Sequence, residues 1–386
     1  MSDFVTLGDH ISIQKGKPPL AIDYVGKQAE PYLNPEYLRG RAQANLAKAG
    51  PDAVRAADGN TILLWDGSNA GEFFRAKSGL IASTMAKISP SKAFLSTYFF
   101  HVAKHAENYL KAQTSGTGSP HVDRELLEAI RIFCPDINQQ QVIAEILDAL
   151  DTATHETEAI IAKLKAVKQG LLHDLLTRGI DAKGELRPTQ AEAPHLYKES
   201  PLGWIPKEWM PVPVGKLASL QRGHDIVETR FRPGPYPVVS SSGVIGHHAV
   251  ATSRGPNVVV GRKGSIGTVH YVDDDFWAHD TSLFVTNFFD NDAKFVFHLF
   301  EYMRLGRYGT KSGSPSLNRN DVHPLIVGRP TRDEQVLIIA VASAHETVTH
   351  RTSLELAKLK QLKLSLMDDL LTGRVRVTPL LEAAAP

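Results

Sequence analysis

The chain repeats itself at a fixed interval of 195 residues. Gly118-Ser119-Pro120 returns as Gly313-Ser314-Pro315, Pro135 as Pro330 and Gln140 as Gln335. Further on, Ala162-Lys163-Leu164-Lys165 returns as Ala357-Lys358-Leu359-Lys360, and Asp174-Leu175-Leu176-Thr177 as Asp369-Leu370-Leu371-Thr372. One offset held over about 60 residues describes two copies of one structural unit. A duplicated unit reads two similar things, or one thing with two-fold symmetry.

The repeat divides the chain into six blocks. Residues 1–134 are a strand-rich N-terminal domain, with Ile62-Leu63-Leu64-Trp65 and Leu80-Ile81-Ala82 as strands and Asp66-Gly67-Ser68-Asn69 as a turn. Residues 135–180 are a long helix: from 136 to 178 there is no proline, and Gly170 is the one glycine. Residues 181–203, with Pro188, Pro194 and Pro201, read as a linker. Residues 204–329 repeat the strand-rich pattern, 330–376 the helix, and 377–386 form a tail.

Both helices carry a heptad stripe. In the first, Ile143, Ile146, Leu150, Ala153, Thr157, Ile160, Leu164, Val167 and Leu171 alternate steps of 3 and 4, which predicts a coiled-coil seam. In the second, Ile338, Val341, Val348, Leu359, Leu362 and Leu366 hold the same register, with His345, Thr352 and Glu355 as lapses. A rod that long cannot bury its stripe alone, and the natural partner is the other copy. Antiparallel pairing predicts an α+β dumbbell: two mixed α/β domains separated by two long antiparallel coiled-coil helices, related by a pseudo-two-fold axis. A parallel pairing would require a long return path through the linker.

The domain openings match at a second offset, 207: Leu7-Gly8 and Gln14-Lys15-Gly16 correspond to Val214-Gly215 and Gln221-Arg222-Gly223. Between these openings and the shared Gly-Ser-Pro the copies diverge. A shared frame with a divergent interior suits two domains that read different targets.

Composition excludes some classes. No run of about 18 apolar residues is present, so no membrane span is expected. The start, Met1-Ser2-Asp3-Phe4, has no secretory pattern. The single cysteine, Cys134, excludes an intrachain disulfide, fits a reducing cytoplasm and reads as a small core residue. The net charge of +1 is not that of a protein held on nucleic acid by charge alone. Between Lys216 and Lys263, however, seven Lys/Arg meet two acids. That segment faces phosphates, or is a solvated surface balanced elsewhere.

No catalytic constellation is legible. Gly261-Arg262-Lys263-Gly264-Ser265-Ile266-Gly267 lacks the ending of a phosphate-binding loop and leads into a strand, so it reads as a turn. His247-His248, His279-Asp280 and His155-Glu156 lack further ligands at a recognisable spacing, and Asp273-Asp274-Asp275 reads as a solvated turn. No metal and no cofactor is expected. The polar loops Ser240–Gly243, Gln113–Ser119 and Lys311–Ser314 offer small donors and close backbone approach, which suits contact with bases and phosphates as well as an ordinary flexible loop. By loop position and chemistry, the DNA-binding candidates are Lys15, Asn69, Gln113, Arg222, Arg262, Lys263 and Lys311.

The combination resembles the DNA-specificity subunit of type I restriction–modification systems. Four features carry the resemblance, in the family's order: Ser115 to Pro120 and Ser312 to Pro315 closing each domain; Pro135 to Gln141 and Pro330 to Gln335 opening each helix; the helix ending Leu359–Lys363 and Asp369–Val375; and the domain opening Tyr197–Trp209. The N-terminal domain departs from the pattern by starting at Phe4-Val5-Thr6-Leu7-Gly8 without the Gly-Trp-Ile-Pro opening. The resemblance implies a non-catalytic subunit that binds double-stranded DNA, each domain reading one half of a bipartite target. The helices would set the unread gap and dock two methyltransferase subunits, and motor/nuclease subunits would complete the assembly. Methylation and cleavage would belong to those partners. A specificity subunit of a type II restriction–methyltransferase enzyme, and a coiled-coil interaction adaptor without a DNA role, are the competing readings.

Overall fold

The computed structural model describes residues 3–113, 120–310 and 315–383. The chain divides into two compact units. Unit 1 is built from both ends of the chain, Met1–Glu158 and Leu354–Pro386, and unit 2 is the continuous stretch Ala159–Ser353. The division falls inside both long helices, so each unit owns half of each helix.

The two units share one framework, whose strands alone are numbered here. In unit 1 these are β1 (Phe4–Thr6), β2 (Ile11–Lys15), β3 (Thr61–Leu64), β4 (Phe73–Arg75), β5 (Met85–Pro90) and β6 (Arg131–Phe133). β1 pairs with β6, and the rest form an antiparallel sheet in the order β2-β5-β3-β4. In unit 2 they are β7 (Met210–Pro213), β8 (Ser219–Arg222), β9 (Asn257–Gly261), β10 (Val269–Val272), β11 (Ser282–Asn287) and β12 (Ile326–Arg329). β7 pairs with β12, and the sheet order is β8-β11-β9-β10, the same topology.

Side-chain alternation explains why β3 and β9 hold the unbroken apolar runs Ile62–Leu64 and Val258–Val260. Successive residues of a strand point to opposite faces. Leu63 joins the core formed with helix α1 (Ser96–Gln113), while Ile62 and Leu64 join a second core under the inserted strands. In unit 2, Val258 and Val260 face the helical core and Val259 faces the insert. Each middle strand is therefore buried on both faces. The inserts are where the units differ. Unit 1 adds a sheet of five short strands within residues 21–81, and unit 2 one of three strands within residues 236–278.

The long helices are α2 (Ile137–Thr177) and α4 (Arg332–Leu371), with α3 (Ala293–Met303) the unit 2 counterpart of α1. Asp136 accepts hydrogen bonds from Asn138 N and Gln139 N at 3.0 Å, which caps α2, and these bonds hold its carboxyl below the usual carboxylate range. Thr331 Oγ1 accepts from Glu334 N at the start of α4. Beyond the helix ends, Gly179 (φ +68°) and Gly373 (φ +67°) take the left-handed conformation that stops a helix. Within each unit the helix segments run antiparallel. In unit 1 Lys363 pairs with Asp151, and Lys360 with Glu158 at 2.6 Å. In unit 2 Lys168 binds Glu346 at 3.0 Å, while Leu172 and Leu175 share a core with Ile338 and Ala342.

The buried stripe departs from the expected seam by one residue at Ile160, Val167, Val341, Val348 and Leu362. Along α2 the covered positions are Ile143, Leu147, Leu150, Thr154, Thr157, Ile161, Leu164, Lys168, Leu171 and Leu175. Along α4 they are Ile338, Ala342, His345, Thr349, Thr352, Leu356, Leu359, Lys363, Leu366 and Leu370. Ile146 and Ala153 are half-buried to the same degree as Leu150, Thr154 and Thr157, and Ile146 packs against the unit 1 core, so the departure is clear only further along. Ile160 (52%), Val167 (49%), Val341 (37%), Val348 (41%) and Leu362 (48%) are exposed. The expected seam followed the most apolar residues, whereas the helices bury a more polar stripe with steps of 4 and 3.

Residues 181–203 are not a loose linker. Ile180 bridges to Leu186, Arg187 is buried, and Tyr197–Ser200 pairs with Gly203–Pro206 as a hairpin.

A fully buried histidine ties each short helix to a long one, at an offset of 197. His101 Nε2 lies 2.8 Å from Asp148 Oδ1, which also binds Arg75 at 2.8 Å. His298 Nδ1 lies 3.4 Å from Glu301, which binds Lys168. Burial pushes the His101 pKa below its ordinary 6.5, against the pull of Asp148. The folded ring therefore stays neutral where the unfolded ring takes up a proton. Unit 1 is expected to lose stability as pH falls below about 6.5, by up to about 1.4 kcal/mol per pH unit. Thermal midpoints from pH 7.5 to 5 check this: His101→Gln should flatten the acid slope, and an unchanged slope would refute it.

Candidate nucleic-acid interface

In unit 2 the candidate surface forms where β8 and β9 end. Gly223 follows β8 and donates its N–H to Ser282 O at 3.0 Å. A Cβ on it would stand 2.2 Å from His279 O, so only glycine lets the two backbones approach this closely. The close contact fixes where Arg222 leaves the sheet. Its side chain is half exposed and donates from Nη2 to Asp280 Oδ2 at 2.8 Å. Arg262 follows β9; its N–H donates to Thr281 O, its carbonyl accepts from Leu317 N, and its Nη1 reaches Asp280 O at 3.4 Å. Arg222 and Arg262 thus meet at Asp280. With Gln221, His224, Asn318 and Arg319 they line an open hollow of about 810 Å³. Lys263 is exposed beside it, its N–H also on Thr281 O.

Unit 1 repeats the arrangement with other side chains. Gly16 follows β2, donates to Met85 O at 2.8 Å, and would place a Cβ 2.1 Å from Ala82 O. Lys15, the counterpart of Arg222, binds Asp66 at 2.8 Å. Trp65 stands where Arg262 does, and its carbonyl accepts from Val122 N as that of Arg262 does from Leu317. Asn69 lies exposed on the loop after β3. The end of that loop packs on the last turns of α1, where a Cβ on Gly71 would stand 3.2 Å from Lys111 N. Gln113 ends that helix and is exposed. Lys311, and the loops 114–119 and 311–314 with their Gly-Ser pairs, lie outside the described residues. Asp66, Asp280, Asn318 and Arg319 were not among the sequence candidates; Asp66 and Asp280 fall at neither repeat offset, so the two-copy correspondence gave no signal for the acids beside Lys15 and Arg222.

Several of the remaining polar motifs make structural contacts, while His155, Glu156 and His247 are exposed. Gly261–Gly267 is a turn between β9 and β10, and a Cβ on Gly267 would collide with Gly306 N at 2.0 Å. His248 Nδ1 accepts from Arg232 N, and His279 contacts Thr281 Oγ1 and Ile226 O. Asp275 accepts from Gly255 N. His101-Asp148-Asp151 and His298-Glu301-Glu346 group ligand atoms closely enough for a metal. There Arg75 and Lys168 already supply the positive charge. Cys134 is half-buried, and burial pushes its thiol pKa up. Among the described residues no helix is long and apolar enough to cross a membrane.

Residues 2–166 match the family described as the type I restriction modification DNA specificity domain. The chain is similar to two curated proteins of that class. One is the type I restriction enzyme MjaVIII specificity subunit of Methanocaldococcus jannaschii, 34% identical over 57% of this chain and 50% of the relative. The other is the type I restriction enzyme EcoprrI specificity subunit of Escherichia coli, 24% identical over 38% of each. The chain thus spans half or less of the length of these relatives. In fold it matches the type I restriction–modification S subunit from M. genitalium, with a TM-score of 0.63, 15% identity and 95% of each chain covered. A structure from work on complex assembly and conformational transition of the type I system matches with a TM-score of 0.55, 14% identity, and 95% and 96% covered. The chain is therefore similar to type I restriction–modification specificity subunits, in residues 2–166 by the family match and over its length in fold.

Proposed function

We propose that the chain is the non-catalytic DNA-specificity subunit of a type I restriction–modification complex. Each unit reads one half of a bipartite duplex target, and α2 and α4 set the unread gap. The observation that carries this reading is the doubled framework. The same strand end presents Lys15 in one copy and Arg222 in the other, beside inserts that differ in strand number. Methylation and cleavage belong to partner subunits.

Two methyltransferase subunits dock on the long helices in this reading. Supporting it, unit 2 leaves Ile160, Val167, Val341 and Val348 uncovered on helices whose own seam is polar. Covering one such side chain is worth about 1.5 kcal/mol, roughly tenfold in affinity. The double variant Val341→Lys/Val348→Lys is expected to weaken assembly with the methyltransferase about a hundredfold and leave unfolding unchanged. Analytical ultracentrifugation and thermal melts check both; unaltered assembly would remove the helices as the docking surface. The function itself is tested by mapping methylated sites left by the purified complex. A split consensus is expected, and methylation without one would overturn the reading.

A further inference from the structure

The strand-end cations are paired with acids, and that pairing is informative. Asp280 sits 2.8 Å from Arg222, and Asp66 sits 2.8 Å from Lys15. The acids come from different places: Asp66 follows β3, whereas Asp280 precedes β11. The copies thus reach the same pairing by different routes.

A cation that only grips phosphate gains nothing from a neighbouring carboxylate, which cancels its charge. What the carboxylate supplies is direction, because it fixes the plane of a guanidinium fork. Direction matters for reading a base edge, where two donors must meet two acceptors at once. Asp280 is itself held, with Arg262 Nη1 on its carbonyl and a side chain only 17% exposed. Among the described residues, Asp280 is the one partner recorded for the Arg222 side chain, which leaves the rest of the fork facing the hollow.

We propose, resting on the specificity-subunit reading, that Arg222 determines one G·C pair of the unit 2 half-site by donating to the guanine O6 and N7, with Asp280 as its positioning residue. Lys15, tied to Asp66, holds the corresponding place in unit 1.

The test uses the complex assembled with its methyltransferase and a pool of randomised DNA duplexes, with bound sequences read out. The wild type should select a guanine at one position that Arg222→Ala alone releases, with discrimination there falling from about tenfold to hundredfold to near none. Asp280→Asn should weaken discrimination at that same position while raising affinity for non-target DNA, since a negative charge is lost. A purely structural role for Asp280 would not separate those two readouts. Arg222→Gln should shift the preference toward adenine, and Lys15→Ala should leave this half-site unchanged. Matching thermal midpoints exclude misfolding. Uniformly weaker binding with an unchanged consensus in Arg222→Ala and Arg222→Gln would make Arg222 a backbone contact and overturn the inference. No consensus from the wild type would instead overturn the functional reading beneath it.

Discussion

Glu334→Ala is expected to destabilise unit 2 by about 3–5 kcal/mol. The carboxylate is buried in the first turn of α4 and collects three elements at once. It accepts from Arg187 Nη2 at 3.1 Å, from Trp209 Nε1 at 2.9 Å and from Ile180 N at 2.9 Å. Burial opposes the charge of Arg187, but the bond to Glu334 outweighs it and raises the guanidinium pKa. Alanine removes the buried counter-charge of that guanidinium, which keeps Arg178 O at 3.1 Å, and takes the acceptor from two N–H groups. Glu334→Gln retains one acceptor oxygen and should cost less. A chain of two units need not unfold in one step, so the readouts are hydrogen exchange at Ile180 and the fluorescence of unit 2 tryptophans in urea. A loss below about 0.5 kcal/mol would show that the triad is not a stabilising lock.

The second large effect concerns the glutamine repeated at positions 140 and 335. Gln140 is fully buried; it accepts from Leu95 N at 2.9 Å and donates to Ala93 O and Pro135 O at 2.8 and 2.9 Å. Gln335 accepts from Asp292 N at 3.0 Å and donates to Asn291 Oδ1 and Pro330 O. Each clips the segment entering the short helix to the first turn of the long one. Alanine at either site strands a buried N–H and carbonyls, at about 3 kcal/mol. Exchange should speed up at Leu95 in Gln140→Ala and at Asp292 in Gln335→Ala, each in its own unit. Equal loosening of both units by one substitution would contradict separate clips.

Much of this architecture was legible in the sequence, for physical reasons that differ by element. The helices announced themselves because proline is absent over some 40 residues, and the repeat because Gln140 and Gln335 each do a job no smaller side chain can. The seam was half legible. Ile143, Leu150, Thr157, Leu164 and Leu171 lie on the covered face, yet the alternate positions slipped because hydrophobicity drew the reading toward Ile160 and Val167, which face outward. Periodicity reports apolar faces and cannot say which partner covers them. The hairpin Tyr197–Pro206 was hidden by Pro201, which sits in its turn and not in a loose tether. Lys15, Arg222 and Arg262 could be chosen from glycine-flanked strand ends, but Asp66 and Asp280 could not. An acid far along the chain gives no local sign of the cation it will meet.

The division of the chain has a consequence in time. Unit 2 is one uninterrupted stretch of 195 residues, whereas unit 1 needs Leu354–Val377 to close its core. On a ribosome adding about 5–20 residues per second, the Met1–Glu158 part of unit 1 waits roughly 10–40 s for its closing helix while all of unit 2 is synthesised. During that wait Ile143, Leu147 and Phe133 lack their cover. The stretch Met1–Glu158 is therefore open to proteases and chaperones until Leu354–Val377 has been made.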